Sequence, residues 1–271
     1  MRNARVSAML IESSELLSGY KAVVFDCRFS LADPLEGRSL YQQGHIAGAH
    51  YLDLNEDLAG PQAKQGGRHP LPDPIVFAAT LARFGVGPNT AVVAYDDARF
   101  AFAARLWWLM RALGYQPPRL INGGYCGFLQ AGGLPASQLS ESPSCESPAE
   151  ANFSGYCDIE GLREAQGRGA LLVDSRESRR YEGWEEPIDP IAGHIPGAIN
   201  CPWQCVTDSR GIVLDDARLR AHWGEALDAE ELVVYCGSGV TACVNLFSLA
   251  LVERNNVTLY PGGWSDWCTY L

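Results

Sequence analysis

The sequence predicts an α/β protein of two tandem domains, each a mostly parallel sheet flanked by helices. Three observations predict it. The chain repeats one plan twice, each repeat alternates β-rich apolar runs with helical patterns, and a segment that cannot build a core separates them. In the first half Val23-Val24-Phe25-Asp26-Cys27-Arg28 is followed by Gly44-His45-Ile46-Ala47-Gly48-Ala49, and in the second Leu172-Val173-Asp174-Ser175-Arg176 is followed by Gly193-His194-Ile195-Pro196-Gly197-Ala198. The offsets are 148 for Asp26 to Asp174 and 149 for His45 to His194. Further on, Val93-Ala94-Tyr95-Asp96 matches Val233-Val234-Tyr235-Cys236 at an offset of 140, and Gly123-Gly124-Tyr125 matches Gly262-Gly263-Trp264 at 139.

Each half therefore reads as strand, loop, helix, strand, helix, strand. Ala91–Tyr95 and Leu232–Tyr235 are strand-like, Ala101–Leu113 is helix-like, and the alternation implies parallel strands with helices on both faces. The stretch Gln130–Ser154 holds Gly132-Gly133, Pro135, Ser140, Ser142, Pro143, Ser144, Ser147 and Pro148 and reads as a linker. The expected organisation is a first domain at 1–135, a linker at 136–154 and a second domain at 155–271. The drop in offset locates nine extra residues in the first half between His45 and Asp96. They fall near Ala59–Pro74, where the rigid, polar Gly66-Gly67-Arg68-His69-Pro70-Leu71-Pro72 is free to reach the other domain.

At 271 residues the chain is long enough for two ordinary cores, and 47% hydrophobic with 20% charged residues describes a globular protein. A formal net charge of -11 without a Lys/Arg cluster argues against a nucleic-acid partner. Met1–Leu17 carries Arg2 and Arg5 but is broken by Glu12 and Glu15, so it lacks the apolar region of a signal peptide. No apolar run approaches the roughly 18 residues a membrane helix needs, and a cytoplasmic location is the expectation. Nine cysteines without a C-x-x-C pair suit neither zinc nor a disulfide framework. Cys201 and Cys205 are separated by Pro202, which spoils a ligand-bearing helix. Free thiols, with no metal and no organic cofactor, are expected.

Chemistry concentrates at Cys236. It ends the apolar run Leu232-Val233-Val234-Tyr235 and opens Cys236-Gly237-Ser238-Gly239-Val240-Thr241-Ala242, just before a helix-like stretch. A short loop feeding a helix N-terminus aims backbone N–H groups and the positive end of a dipole at the sulfur, which depresses a cysteine pKa from roughly 8.5. Ligands in parallel sheets sit beyond the carboxyl ends of the strands, where Cys236 lies. The first half presents Asp96-Asp97-Ala98-Arg99 at the matching place, so it has no covalent role. A phosphate-ester hydrolase would need an arginine six positions after the cysteine, and that residue is Ala242. Nothing in the sequence singles out the base and orienting group of a thiol protease. Attack on a sulfane-type sulfur remains.

The loop Cys236-Gly237-Ser238-Gly239-Val240-Thr241-Ala242-Cys243 resembles the active-site loop of the two-domain rhodanese family, most closely its 3-mercaptopyruvate and thiosulfate sulfurtransferases. Asp174-Ser175-Arg176, Gly193–Ala198 and Gly262-Gly263-Trp264-Ser265-Asp266-Trp267 are similar to further landmarks, so the resemblance covers nearly the whole chain. It implies two rhodanese-like domains with the site in the cleft between them. Cys236 becomes the sulfur-accepting nucleophile, and Gly237, Gly239, Val240 and Thr241 belong to the amide cradle. Ser238 resembles a member of a Ser-His-Asp set that protonates the departing enolate, and His69 matches its histidine. The carboxylate partner of His69 is left open: Asp53 lies close, and Asn55 falls where an aspartate is expected.

Arg180 resembles an arginine that binds the donor carboxylate. A second such arginine is expected nine residues later, after a Glu-Pro pair. This chain has Glu186-Pro187-Ile188-Asp189, and Arg68 is the candidate for the missing charge. The implied reaction moves a sulfane sulfur from 3-mercaptopyruvate or thiosulfate, through a Cys236 persulfide, to a thiol or cyanide acceptor, a thioredoxin-like protein included. The alternative is a relay module that hands persulfide to a protein partner. Arg176, His45, His194 and Cys243 read as structural, while Trp264 and Trp267 are divided between walling the site and packing the core.

Overall fold

The computed structural model describes residues 8–141 and 143–271. Met1–Ser7, part of the segment read above for a leader, and Ser142 of the linker lie outside them. Two compact units result: Met1–Gly60, Pro72–Ser154 and Asp208–Val213 form the first, and Pro61–Leu71, Gly155–Thr207 and Leu214–Leu271 the second. Among the described residues no helix is long and apolar enough to cross a membrane.

In the first unit the β-branched and aromatic runs form β1 (Leu10–Ile11), β2 (Val23–Asp26), β4 (Ala49–Tyr51), β5 (Val92–Tyr95) and β6 (Arg119–Ile121). They pair in the order β1-β6-β5-β2-β4, and every pairing is parallel. A small antiparallel pair joins β3 (His45–Ile46) to β7 (Pro135–Ala136). Helices Glu36–Gln43, Pro74–Arg83, Ala103–Ala112 and Gly124–Gln130 connect them. Pro74–Arg83 starts where its sequence says it must: Asp73 accepts from Ile75 N and Val76 N, and Pro74, which has no N–H to satisfy, takes the first turn.

The second unit has β8 (Leu171–Asp174), β9 (Ile199–Asn200), β10 (Leu232–Tyr235) and β11 (Thr258–Leu259) in the parallel order β11-β10-β8-β9. Tyr156 adds a parallel bridge to Leu259 at the outer edge, the place β1 holds in the first sheet. The α/β plan and its duplication are thus as predicted. The Ala242–Leu251 helix is buried at every position, which is why its sequence is apolar except at Asn245 and Ser248.

The repeat extends to buried polar atoms. Arg28 Nε and Nη2 donate to Asp26, and Nη2 also donates to the Gly44 carbonyl at 2.7 Å. In the second unit Arg176 does the same with Asp174 and the Gly193 carbonyl at 2.6 Å. The hydroxyl of Tyr95 accepts from Ile46 N, and that of Tyr235 accepts from Ile195 N, each at 3.1 Å. His45 stacks on Tyr41 and His194 on Tyr181, each with its Nδ1 2.8 Å from the tyrosine's carbonyl oxygen. The structural reading of Arg176 and of both histidines follows from these contacts.

Where the loops after β5 and β10 diverge, the chemistry diverges. Asp96 accepts four backbone N–H groups: Ala98 and Phe100 on Oδ1, Phe102 and Ala103 on Oδ2, all within 3.0 Å. Burial pushes the Asp96 pKa up, and those amides oppose it. The first unit's loop is an anion cradle filled by its own side chain. Arg99 and Phe100 adopt φ of 59° and 72° to deliver these amides, unusual for residues with a Cβ.

Removing the buried carboxylate at the first corner is expected to be severe. Asp26→Ala leaves Arg28 buried without its ion partner and is expected to lower unfolding free energy by roughly 3–5 kcal/mol. Urea titration would measure it, and a loss below about 1 kcal/mol would show that the pair is not what holds the corner.

Candidate active site

Cys236 follows β10 directly and is 2% exposed. The carbonyls of Cys236 and Gly237 accept from Trp264 N at 2.8 Å and Ser265 N at 2.9 Å. Because C=O and N–H of a trans peptide point in opposite directions, the N–H groups of Gly237 and Ser238 face away from the Gly263–Trp267 helix. That close approach requires a glycine: Gly263 has φ +62, and a Cβ there would sit 2.5 Å from the Cys236 carbonyl oxygen. Gly124 repeats the arrangement in the first unit, with φ +57 and its virtual Cβ 2.3 Å from the Asp96 carbonyl oxygen. Gly239, at φ +72, passes as closely over Pro261, where a Cβ would lie 2.4 Å from the carbonyl oxygen. Val240 is buried, and Thr241 is the residue before the Ala242–Leu251 helix.

The segment Pro61–Leu71 belongs to the second unit although it precedes most of the first in sequence. Specific bonds hold it. Gly66 N donates to Asp266 Oδ1 at 2.7 Å, and Arg68 N donates to Ser265 Oγ at 3.2 Å. The Tyr260 hydroxyl donates to Asp266 Oδ2 at 2.6 Å. His69 is thereby placed with Nδ1 2.8 Å from Ser238 Oγ, both side chains buried. Asp53 is occupied by its own turn in the first unit, accepting from Asn55 N at 2.8 Å, Glu56 N at 3.2 Å and the Tyr51 hydroxyl at 3.3 Å.

Arg68 and Arg180 converge on Gly237. A Cβ at residue 237 would lie 3.0 Å from Arg68 Nη2 and 3.6 Å from both Arg180 Nη1 and Nη2. What holds them there is acidic. Asp189 pairs through Oδ1 with Arg68 Nη1 and through Oδ2 with Arg180 Nη2 at 3.1 Å. Glu186 Oε1 accepts from Arg180 Nη2 at 2.7 Å, while Oε2 reaches Arg176 Nη1 at 3.1 Å. Burial lowers the Arg68 pKa, and negative charge on the Cys236 sulfur counters it while Arg180 adds to the depression.

The sequence-predicted residues Cys236, Ser238, His69, Arg180, Arg68, Gly237, Gly239, Val240 and Thr241 all lie in this one unit. Sequence reasoning missed Glu186 and Asp189 as parts of the site, reading Asp189 only as a lost arginine. Their signal was two acids three residues apart beside Arg176, Arg179 and Arg180. Ser265 and Asp266, which dock the Gly66–His69 stretch, lie in a run that the sequence marks as a landmark, but nothing in that run points to a docking role. Trp264 packs in the core: it is 2% exposed, belongs to the apolar cluster, and its ring lies 5.1 Å from the Arg176 guanidinium carbon. Cys243 is fully buried in its helix, its Sγ 3.3 Å from the Gly239 carbonyl oxygen.

Among other thiols, burial pushes Cys157 up to about 12 and Cys201 up to about 11. A cavity of about 280 Å³ opens beside Asp96 in the first unit. The group at the end of β5 there is a carboxylate already bound by four amides, and the cysteine that lines the cavity, Cys126, stands on the Gly124–Gln130 helix and not in the loop after β5.

The rhodanese-like domain family matches the chain twice, over residues 11–131 and 158–270. A protein of Pseudomonas aeruginosa named probable 3-mercaptopyruvate sulfurtransferase is 41% identical over 97% of this chain and 96% of its own length. A putative thiosulfate sulfurtransferase of Mycobacterium tuberculosis is 35% identical over 96% of this chain and 93% of its own. Among solved structures, 3-mercaptopyruvate sulfurtransferase from Leishmania major superposes with a TM-score of 0.87 at 26% identity, covering 97% of this chain and 75% of that one.

The docking of Pro61–Leu71 depends on Gly67, whose φ is +81 and whose Cβ would fall 2.3 Å from the Gly262 carbonyl oxygen. Gly67→Ala is expected to cost roughly 1–3 kcal/mol and to expose the segment to limited proteolysis. Unchanged protection of residues 61–71 would refute this account of the docking.

Proposed function

The chain belongs to the rhodanese-like family and is a sulfurtransferase, and on that premise we propose that Cys236 is the residue on which the sulfur travels. The observation that carries the reading is the cysteine at the carboxyl end of β10 with two guanidinium groups over the next residue of its loop. The Cys236 thiolate attacks the donor's sulfane sulfur, forming an S–S bond. With 3-mercaptopyruvate the C–S bond breaks and its electron pair leaves as the enolate of pyruvate. The Ser238 hydroxyl protonates the enolate carbon and recovers its proton from His69 across their 2.8 Å contact. With thiosulfate the S–S bond of the donor breaks and sulfite leaves, needing no proton. A thiolate acceptor then attacks the outer sulfur of the persulfide and releases Cys236 as a thiolate, closing a double displacement.

Arg68 and Arg180 bind the donor's anionic end, through a carboxylate or sulfonate edge that suits a guanidinium fork. The sulfur donor and a small thiol or cyanide are the partners this chemistry requires, and a thioredoxin-like protein thiol fits the second step. Turnover with a small thiol separates this enzyme from a relay, which would need its protein partner.

Cys236→Ser is expected to abolish turnover, and the unaltered protein to gain the mass of one sulfur atom on Cys236 after donor treatment; an adduct on a different cysteine would defeat the assignment. Arg180→Ala is expected to raise donor KM about tenfold or more, the worth of one charge-assisted contact, and to lower the melting temperature as well, because the buried Glu186 and Asp189 lose a counter-charge. His69→Ala is expected to lower kcat with 3-mercaptopyruvate by roughly a hundredfold and to spare thiosulfate, whose leaving group takes no proton. Equal losses with both donors would remove the proton-delivery role from His69.

A further inference from the structure

We propose that Asp189 is the positioning residue that sets donor selectivity, by spanning the two donor-binding guanidinium groups and cancelling one of their two charges. The inference rests on the sulfurtransferase reading above. Its basis is geometric. The Asp189 side chain is 2% exposed and uses one oxygen for Arg68 Nη1 and the other for Arg180 Nη2. Arg68 keeps Nη2, and Arg180 keeps Nη1 beside the Asp189-bound Nη2, near the place a Cβ on Gly237 would take, so the same guanidinium pair meets both the carboxylate and the cysteine loop. Asp189 N is itself anchored at 3.0 Å on Glu186 Oε1. The carboxylate is therefore held by its own backbone as well as by its partners.

The electrostatic consequence separates the two donors. 3-Mercaptopyruvate brings one negative charge with its carboxylate, while thiosulfate brings two. A fixed negative charge beside the guanidinium pair is felt once by the first donor and twice by the second, in a buried site where screening is weak. Asp189 thus penalises the dianion and favours the monoanionic carboxylate. An arginine fork also needs an exact angle to grip a carboxylate, and a shared counter-ion fixes both forks at once. Binding energy spent on that orientation before the donor arrives is not charged against its affinity.

The test is kcat/KM for 3-mercaptopyruvate and for thiosulfate, with dithiothreitol as acceptor, in the full chain and three variants. Asp189→Asn keeps the size and removes the charge. It is expected to raise the thiosulfate to mercaptopyruvate ratio about tenfold, mainly through a lower thiosulfate KM. Arg68→Gln removes the opposite charge and is expected to lower the ratio by about as much. Asp189→Glu keeps the charge and is expected to hold the ratio within about twofold of the parent while KM rises for both donors.

A merely structural Asp189 would reduce both donors by the same factor in Asp189→Asn and leave the ratio where it was, and that result overturns the proposal. So does a shift of the same sign in Asp189→Asn and Arg68→Gln. If Asp189→Asn does not fold, Arg68→Gln decides alone, and a ratio that holds or rises there refutes the charge argument. Inactivity of the parent with both donors would instead strike the sulfurtransferase reading, and the proposal with it.

Discussion

The second unit hangs on a buried line of alternating charges: Asp174, Arg176, Glu186, Arg180, Asp189, Arg68. Each neighbouring pair is in contact, and Asp174, Arg176, Glu186 and Asp189 are almost wholly withdrawn from solvent. Burying six charges is costly, and the cost is offset only because each has a counter-charge and further hydrogen bonds. Burial works against the charge on Arg176, yet Asp174 and Glu186 hold its pKa above the ordinary arginine value. The line begins at the fold's structural corner, where Arg176 grips the Gly193 carbonyl, and ends over Gly237. Fold and site share one electrostatic object, so neither can be altered without the other.

The first unit shows what the same plan becomes when a carboxylate stands at the end of its central strand. Its corner pair, Asp26 and Arg28, is closed by Gly44, Tyr95 and the Tyr125 ring, 4.1 Å from the guanidinium carbon. Its loop after β5 supplies four amides to Asp96, which answers the anion-binding capacity of the loop from within. The comparison isolates what the second unit adds: a cysteine in place of the carboxylate, and a line of charge that continues past the corner toward it.

Much of this was legible in the sequence because the information was local or repeated. Strand ends such as Asp26 and Asp174, the paired glycines at 123–124 and 262–263, and the loop from Cys236 to Thr241 are set by period, turn chemistry and close approach. The insertion around Arg68 and His69 could be seen as a surplus in the repeat. Its attachment could not, because Ser265 and Asp266 meet it from about two hundred positions away and no spacing rule spans that distance. Asp189 was misread for a related reason. Comparison with an expected arginine registers a missing charge, whereas its function arises from the partner that Arg68 supplies from a remote segment.

The attachment of Gly66 to Asp266 also bears on the life of the chain before it is complete. A contact of such sequence separation forms only after Asp266 has been made, and contacts between such distant segments form slowly. The docking that sets His69 beside Ser238 therefore waits for Ser265 and Asp266. A chain clipped before Ser265 would hold the cysteine loop, Ser238 included, without the two bonds that dock the Gly66–His69 stretch against it.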